Sequence, residues 1–459
     1  MKIALVMYYS LSVVVLCCLL PRLAQAAPHP LLERNAALTL QRAIEIALTQ
    51  HPARLAAQSQ AGAAQERVGI ARSGLLPQIT GAAGYLRATN NSIGDTVYPS
   101  VPGALRGVTE GSGANKLGLS DTFNNYLGSL GAYQFLLDFG RRRGFVSQRN
   151  AEADAERARL RLVELDLVFQ VTKAYFDLLA SKERVRVFEK AIEQRTQQLH
   201  RAQLKARAGL VSEIDPYTAQ AELARAQLSL TDARNAVTTT KVALDNAMGI
   251  GLEEVDYLQS DPLTREGVVG TLETHLERAM SQRPDLQMLE GEARAAGAEI
   301  KQYQSDYWPT IGAVGGVNAR GQTAPPGTNY YAGVVITWPL FNGFLTAHEL
   351  AEARFRQEAV HHSIEDLRQR IVLEVKSAFL DCQASLQRIQ WVERSLTASQ
   401  AELEVAEKRY ARGLGSIIEL TDAERRFTED EAALVRALAD LAINKGMLAR
   451  NVGQRVSAQ

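Results

Sequence analysis

The strongest constraint on this chain is that it is written twice. The stretch "LTLQRAIEIALTQHP" (38–52) returns as "GTLETHLERAMSQRP" (270–284), sharing Thr39/Thr271, Leu40/Leu272, Glu45/Glu277, Ala47/Ala279, Gln50/Gln282 and Pro52/Pro284 at an offset of 232. The same offset maps Pro77 onto Pro309 and Ile79 onto Ile311. Further on the offset becomes 204: Asp177 meets Asp381, "GLVS" (209–212) meets "GLGS" (413–416), and Gly249 meets Gly453. The difference, 28 residues, is extra sequence in the first copy between Pro77 and Asp138. One architecture is therefore built twice, with one long insertion. The copies are a first repeat over 27–250 and a second over 270–459, joined by a linker at 251–269.

Each copy predicts the same elements. A short helix ends at "QHP" or "QRP", where proline can only open the next helix. That helix runs to Pro77 or Pro309, two strands follow, and then a very long helix. Residues 103–215 and 340–459 contain no proline. In the second long helix Ile364, Leu367, Ile371, Val375, Ala378, Cys382, Leu386, Ile389, Val392 and Leu396 step by three and four, the spacing of coiled coils. From Arg141 to Ala208 the rise would be roughly 100 Å. Gly209 and Gly413 fit the left-handed residue that stops a helix. Ser212 and Ser416 begin S-x-x-D and S-x-x-E capping boxes for the next one. Tight helical hairpins are expected, with tips at 209–215 and 413–419.

Strand candidates lie near 77–88, 125–137, 309–320 and 329–339, separated in the first repeat by an outer loop at 89–124. Each has the ~9–11 residues that cross a bilayer when tilted. The last alternates well; the others are rich in Gly, Ala, Ser and Thr, and on pattern alone also fit edge strands of a soluble sheet. Phe135 and Phe139, Tyr307 and Trp308, and Trp338, Phe341 and Phe344 gather at one end of the hairpins. This is where a barrel carries its belt of interfacial rings, though such rings could also seal a strand–helix junction. Four strands cannot close a barrel, and an open edge is not tolerated in hydrocarbon. Two copies would give eight strands and a filled interior, three would give twelve and could leave a lumen.

The N-terminus, "MKIALVMYYSLSVVVLCCLLPRLAQAAPHP", has one early lysine, an apolar run and Ala24-Gln25-Ala26, and reads as a signal peptide over 1–26. Its removal takes away Lys2 and Arg22 from 51 basic and 51 acidic residues, leaving net −2 and no electrostatic case for nucleic acid. It also leaves Cys382 alone, so no intramolecular disulfide forms. "RRRG" (141–144) marks a polar boundary below a membrane rather than a phosphate site. His361-His362 reads as solvated, and Cys382 as packing. No P-loop, nucleophile elbow, zinc motif or convincing acid pair is present, so no catalytic residue, metal or cofactor is expected.

With its paired "LTLQRAIEIALTQHP" and "LPQITG" blocks, "QFLLDFGRRRG" with "WPLFNGF", and the hairpins "GLVSEID" and "GLGSIIEL", the sequence resembles the TolC family of outer-membrane efflux proteins. The match covers nearly the whole mature chain. The resemblance implies a mostly α fold with a small transmembrane β part. It also implies a homotrimer whose twelve-stranded β-barrel continues into a twelve-helix α-barrel across the periplasm, with residues 251–269 in a belt around its middle. It implies that the tips dock on a periplasmic adaptor bound to an inner-membrane pump, either an ABC transporter or a proton-driven one, for drug efflux or type I protein secretion. A periplasmic adaptor is the alternative, since adaptors also carry long helical hairpins.

The family closes its inner end with acidic residues and a tyrosine–arginine–aspartate tie. Asp215, Tyr410, Glu419 and Asp422 match; the arginine's place holds Gly415, with Arg412 nearby. Glu419 and Asp422 share a helix face and in a threefold ring would favour cations, although Glu419 also fits a cap and Asp422 a solvated site. Leu210 and Leu414, beside Gly209, Ser212, Gly413 and Ser416, fit docking tips or packing within each hairpin.

Overall fold

The computed structural model describes residues 37–89, 122–250, 258–259, 263–267, 269–321 and 323–454. The expected signal peptide, nearly all of the outer loop and most of the 251–269 linker lie outside these residues. The chain divides into two units. The smaller has as its described structure a parallel pair, β1 (Ala37–Leu38) with β4 (Leu258–Gln259). The larger spans 39–252 and 261–459 and carries everything else.

In the larger unit the duplication is met element by element. Helix α1 (Leu40–Gln50) and α2 (Pro52–Ser73) lead to strands β2 (Gln78–Thr89) and β3 (Thr122–Leu137). Then come α3 (Arg141–Arg207) and α4 (Ile214–Met248). The second copy has α5 (Leu272–Gln282), α6 (Pro284–Ser305), β5 (Thr310–Gly321), β6 (Gly327–Thr337), α7 (Leu345–Ala411) and α8 (Ile417–Val452). Helices α3 and α7 are both 67 residues, about 100 Å each.

Local chemistry explains the boundaries. Thr39 caps α1 by accepting from the Arg42 amide, and Thr271 and Thr274 form a reciprocal capping box on α5. Pro52 and Pro284 occupy the first turn of α2 and α6, where no donor is missed. Strand turns into helix at left-handed corners: Phe139 (φ 50°) with Gly140 (φ 100°), and Gly343 (φ 65°) with Phe344 (φ 65°). A phenylalanine there costs roughly 1 kcal/mol or more, which the surrounding packing must offset.

The sheet order is β2-β3-β5-β6, antiparallel throughout, with a bulge between Phe135 and Leu137. Below it α3 packs on α2 and α6, and α6 on α7, so the helices follow the strands in the order α2-α3-α6-α7. Helices α4 and α8 fold back along α3 and α7. Ile371, Val375 and Cys382 of the expected stripe are fully buried with Leu286, Leu448 and Val452, each large side chain contributing roughly 1.5–3 kcal/mol. Elsewhere small residues let backbones close in: a Cβ on Gly291 would stand 3.0 Å from the Ala155 Cβ. Among the described residues no helix is long and apolar enough to cross a membrane.

Candidate functional site

The pairing register sorts the strand side chains onto two faces. Gly81 faces Leu130, which faces Val317, which faces Tyr330, and the same face carries Ile79, Tyr85, Val334 and Ile336. Most of the large residues of this face are exposed, Tyr330 to 89%, while Tyr126 and Ile311 on the same side are half-buried. Across the sheet Ser129, Asn318 and Asn329 lie level, with Thr80 and Arg320 on their side. A largely apolar exposed face backed by one that carries these polar residues, together with Leu127, Val314 and Val335, fits strands between lipid and water. The glycines have a local cause that the sequence did not suggest. Tyrosine rings of the polar face lie over them: a Cβ on Gly312 would meet the Tyr133 ring at 2.7–2.9 Å, and one on Gly316 the Tyr331 hydroxyl at 2.9 Å.

The expected aromatic residues collect at the strand–helix end. Phe139 stacks on Trp308 with centroids 5.2 Å apart, and Phe341 meets Phe344 edge-on at 5.6 Å. Trp338 donates its indole N–H to the Tyr307 carbonyl at 3.2 Å. Phe135 instead sits under the Arg142 guanidinium, 3.4 Å from its ring centroid. Of the "RRRG" arginines, Arg141 pairs with Asp306 at 3.1 Å and Arg142 with Asp138 at 3.7 Å, and burial pulls the Arg142 guanidinium below its ordinary pKa.

At the other end of the long helices the two hairpins meet. Gly209 (φ 69°) and Gly413 (φ 74°) stop α3 and α7, and the Leu210 and Leu414 amides donate to the Lys205 and Arg409 carbonyls. Both leucines point outward, 72% and 69% exposed, so neither packs against its own hairpin. The caps differ. Ser416 accepts from the Glu419 amide at 3.1 Å as expected, but Glu419 turns away to Arg409 at 3.1 Å instead of completing the box. Ser212 is not the N-cap of α4; that residue is Glu213, and Ser212 accepts from the Ile214 amide at 3.3 Å. The Asp215 amide instead donates to the Ser212 carbonyl at 3.1 Å, so that Glu213 makes the turn into the helix.

Tyr410 and Asp215, from different repeats, come together: the Tyr410 phenol donates to Asp215 Oδ2 at 3.2 Å. Burial, then the Asp215 charge, push the phenol up to about 12. Arg412 does not join them; among the described residues it carries no ion pair. The cation in this corner is Lys205, which sequence reasoning missed. It donates to the Tyr410 and Ala411 carbonyls at 2.9 and 3.2 Å and lies 4.6 Å from the Tyr410 ring. Asp422 is half-buried beside Arg425, 3.5 Å away. One turn deeper, Glu424 is buried at a core position of α8, with Oε2 unpartnered and its pKa raised to about 7, above all by burial. Its signal in the sequence was a charge one residue from the Leu420, Ala423, Phe427 stripe. No group of metal-binding side chains occurs among the described residues.

Comparison with known proteins accords with this geometry. The model of the outer membrane efflux protein family matches residues 43–250 and 275–454, both repeats. The chain belongs to that family. Outer membrane protein TolC of Vibrio cholerae is 23% identical over 415 residues, covering 88% of this chain and 87% of its own. The alkaline protease secretion protein AprF of Pseudomonas aeruginosa is 22% identical over 319 residues, 66% of this chain and 64% of its own. The open-state MtrE outer membrane channel of Neisseria gonorrhoeae superposes with a TM-score of 0.74 at 21% identity, over 90% of this chain and 89% of that one. As an outer membrane efflux protein the chain is an exit duct of efflux or type I secretion, held in the Gram-negative outer membrane and reaching into the periplasm. The family is one of channels and not of enzymes, and the alternative of a periplasmic adaptor is not favoured.

Proposed function

We propose that three copies form the working duct: twelve strands close a barrel through the outer membrane, and α2, α3, α6 and α7 of each copy line a twelve-helix tunnel below it. The reading is carried by the sheet, whose face is apolar and exposed while β2 and β6 each have one neighbour among the described residues. Such edges are tolerated in hydrocarbon only when another chain pairs with them. Helix α7, at the edge of the helical layer, keeps a second apolar row in the open: Phe355, Leu373, Leu380, Trp391 and Val405. At steps near multiples of 3.6 these share one face, which suits packing on α2 of the next copy.

At the inner end, Glu419 and Asp422 would ring the axis as six carboxylates and favour cations, with Tyr410, Asp215 and Lys205 holding the hairpins together behind them. The outward Leu210 and Leu414 would meet a periplasmic adaptor that recruits an ABC or proton-driven pump. Cysteines at these positions should crosslink to the adaptor in intact cells; absence of any product would remove the tips from the interface. Mass photometry and planar-bilayer recording of detergent-extracted protein test the whole reading. A trimer with long-lived unitary conductance is expected, and a monomer that leaves bilayers silent would refute it.

A further inference from the structure

Where the strands pass into the long helices, α3 and α6 part around a cleft of about 530 Å³ lined by Phe139, Gly140, Arg143, Ser147, Lys301, Gln304 and Trp308. Its floor is tight. A Cβ on Gly144 would stand 2.9 Å from Gln302 Cγ, and the Gln302 amide donates to Gln148 Oε1 at 2.7 Å. Its back is tied by Ser305, whose hydroxyl lies 3.0 Å from the Phe139 carbonyl. The stacked rings of Phe139 and Trp308 stand on the membrane side. Arg141 and Arg142 are matched by Asp306 and Asp138, but Arg143 and Lys301, both exposed, have no anionic partner among the described residues. Two cations therefore share a preformed cleft beside an aromatic pair.

We infer that this cleft binds the phosphate headgroup of an anionic phospholipid from the periplasmic leaflet of the outer membrane. Arg143 and Lys301 hold the phosphodiester, Gln304 and Ser147 offer it neutral donors, and the acyl chains rise past Phe139 and Trp308 toward the apolar sheet face. Charge complementarity favours this occupant: two unmatched cations beside aromatic rings suit a headgroup that joins an anion to an apolar tail. The seam is available in an assembly. Helix α3 is flanked by α2 and α6 of its own chain, and α6 by α3 and α7, so the cleft lies away from either protomer edge. The inference revises the bare polar boundary read from "RRRG", and it rests on the reading that the aromatic rings mark the bilayer surface.

Native mass spectrometry of the detergent-extracted protein, titrated with phosphatidylglycerol, phosphatidylethanolamine or inorganic phosphate, tests the site. Wild type should retain phosphatidylglycerol in preference to phosphatidylethanolamine, and R143Q/K301Q should bind it roughly tenfold more weakly, the loss expected of a charge-assisted contact. R234Q, on the exposed face of α4, should bind like wild type. Equal retention by wild type and R143Q/K301Q overturns the proposal, as does competition by inorganic phosphate as effective as that by the lipid. Both variants alter exposed side chains, and an unchanged oligomer in the same spectra verifies folding. The boundary reading fails separately: in a W338F/W391F chain, a headgroup-labelled lipid should quench Trp308 more than a chain-end label does. The reverse order would displace the membrane surface whatever the binding result.

Discussion

Glu424 offers the sharpest test of the packing between the hairpins. Its carboxyl is buried, one oxygen has no partner, and its pKa is moved from 4.5 to about 7. The charges around it are mixed: Arg195 and Arg201 of α3 favour ionisation, Glu222 of α4 and Glu407 of α7 oppose it, and burial is the largest cause of the shift. Because the folded pKa is raised, the carboxyl contributes stability that is complete below pH 4.5 and is lost as pH rises through about 7. The loss above pH 7 amounts to about 3 kcal/mol, taking about 1.4 kcal/mol per tenfold change in proton affinity. Glu424→Gln imitates the protonated acid and keeps that stability at every pH. Hydrogen exchange of peptides spanning 417–430 and 190–205 is the assay, since a large membrane assembly seldom unfolds reversibly. At pH 8 the variant should be protected by up to ~100-fold over wild type, and at pH 5 the gain should shrink to about 1 kcal/mol. A variant no better protected at pH 8, or one with an equal gain at both pH values, refutes the reasoning.

Tyr410→Phe removes the one side-chain bond between Tyr410 and Asp215 and should loosen the tips by roughly 1.5–3 kcal/mol, seen as longer open times in bilayer recordings. In wild type that bond should persist from pH 6 to 9, since the phenol stays protonated until about 12. Glu419→Ala with Asp422→Ala should lower cation selectivity, and an unchanged reversal potential would count against the carboxylate ring. Ile371→Ala, at a fully buried position, should cost ~2–5 kcal/mol and lower the temperature of irreversible inactivation. Cys382, buried and with its thiol pushed up to about 11, should resist maleimide until the protein is denatured; rapid native labelling would contradict its place in the core.

The fold was legible because its signals are long and repeated. An apolar stripe over ten positions of α7 and prolines at matching places in both copies leave few alternatives to paired helices bracketing paired strands. The strands were legible in position but not in facing. Their many glycines hide the alternation, and only the register reveals that Leu130, Val317 and Tyr330 share one side. Residues at the tips could be matched one by one along the chain, and the pairing of Tyr410 with Asp215 joins two of them. Lys205 could not be found that way. It lies 205 residues from the carbonyl it caps, and a lysine near a helix end has many uses that spacing does not separate. Ser212 misled for a simpler reason: the motif was present, but the chain starts its helix one residue later.

With Gly415 in the place where the resemblance expects an arginine, the closure proposed for the tips would rely on a neutral phenol and on an ammonium set against peptide dipoles. Neither is an ion pair, so raising the electrolyte concentration should barely unlock it. On that proposal, prying the hairpins apart would be a mechanical task for the partner that grips the two leucine-bearing turns.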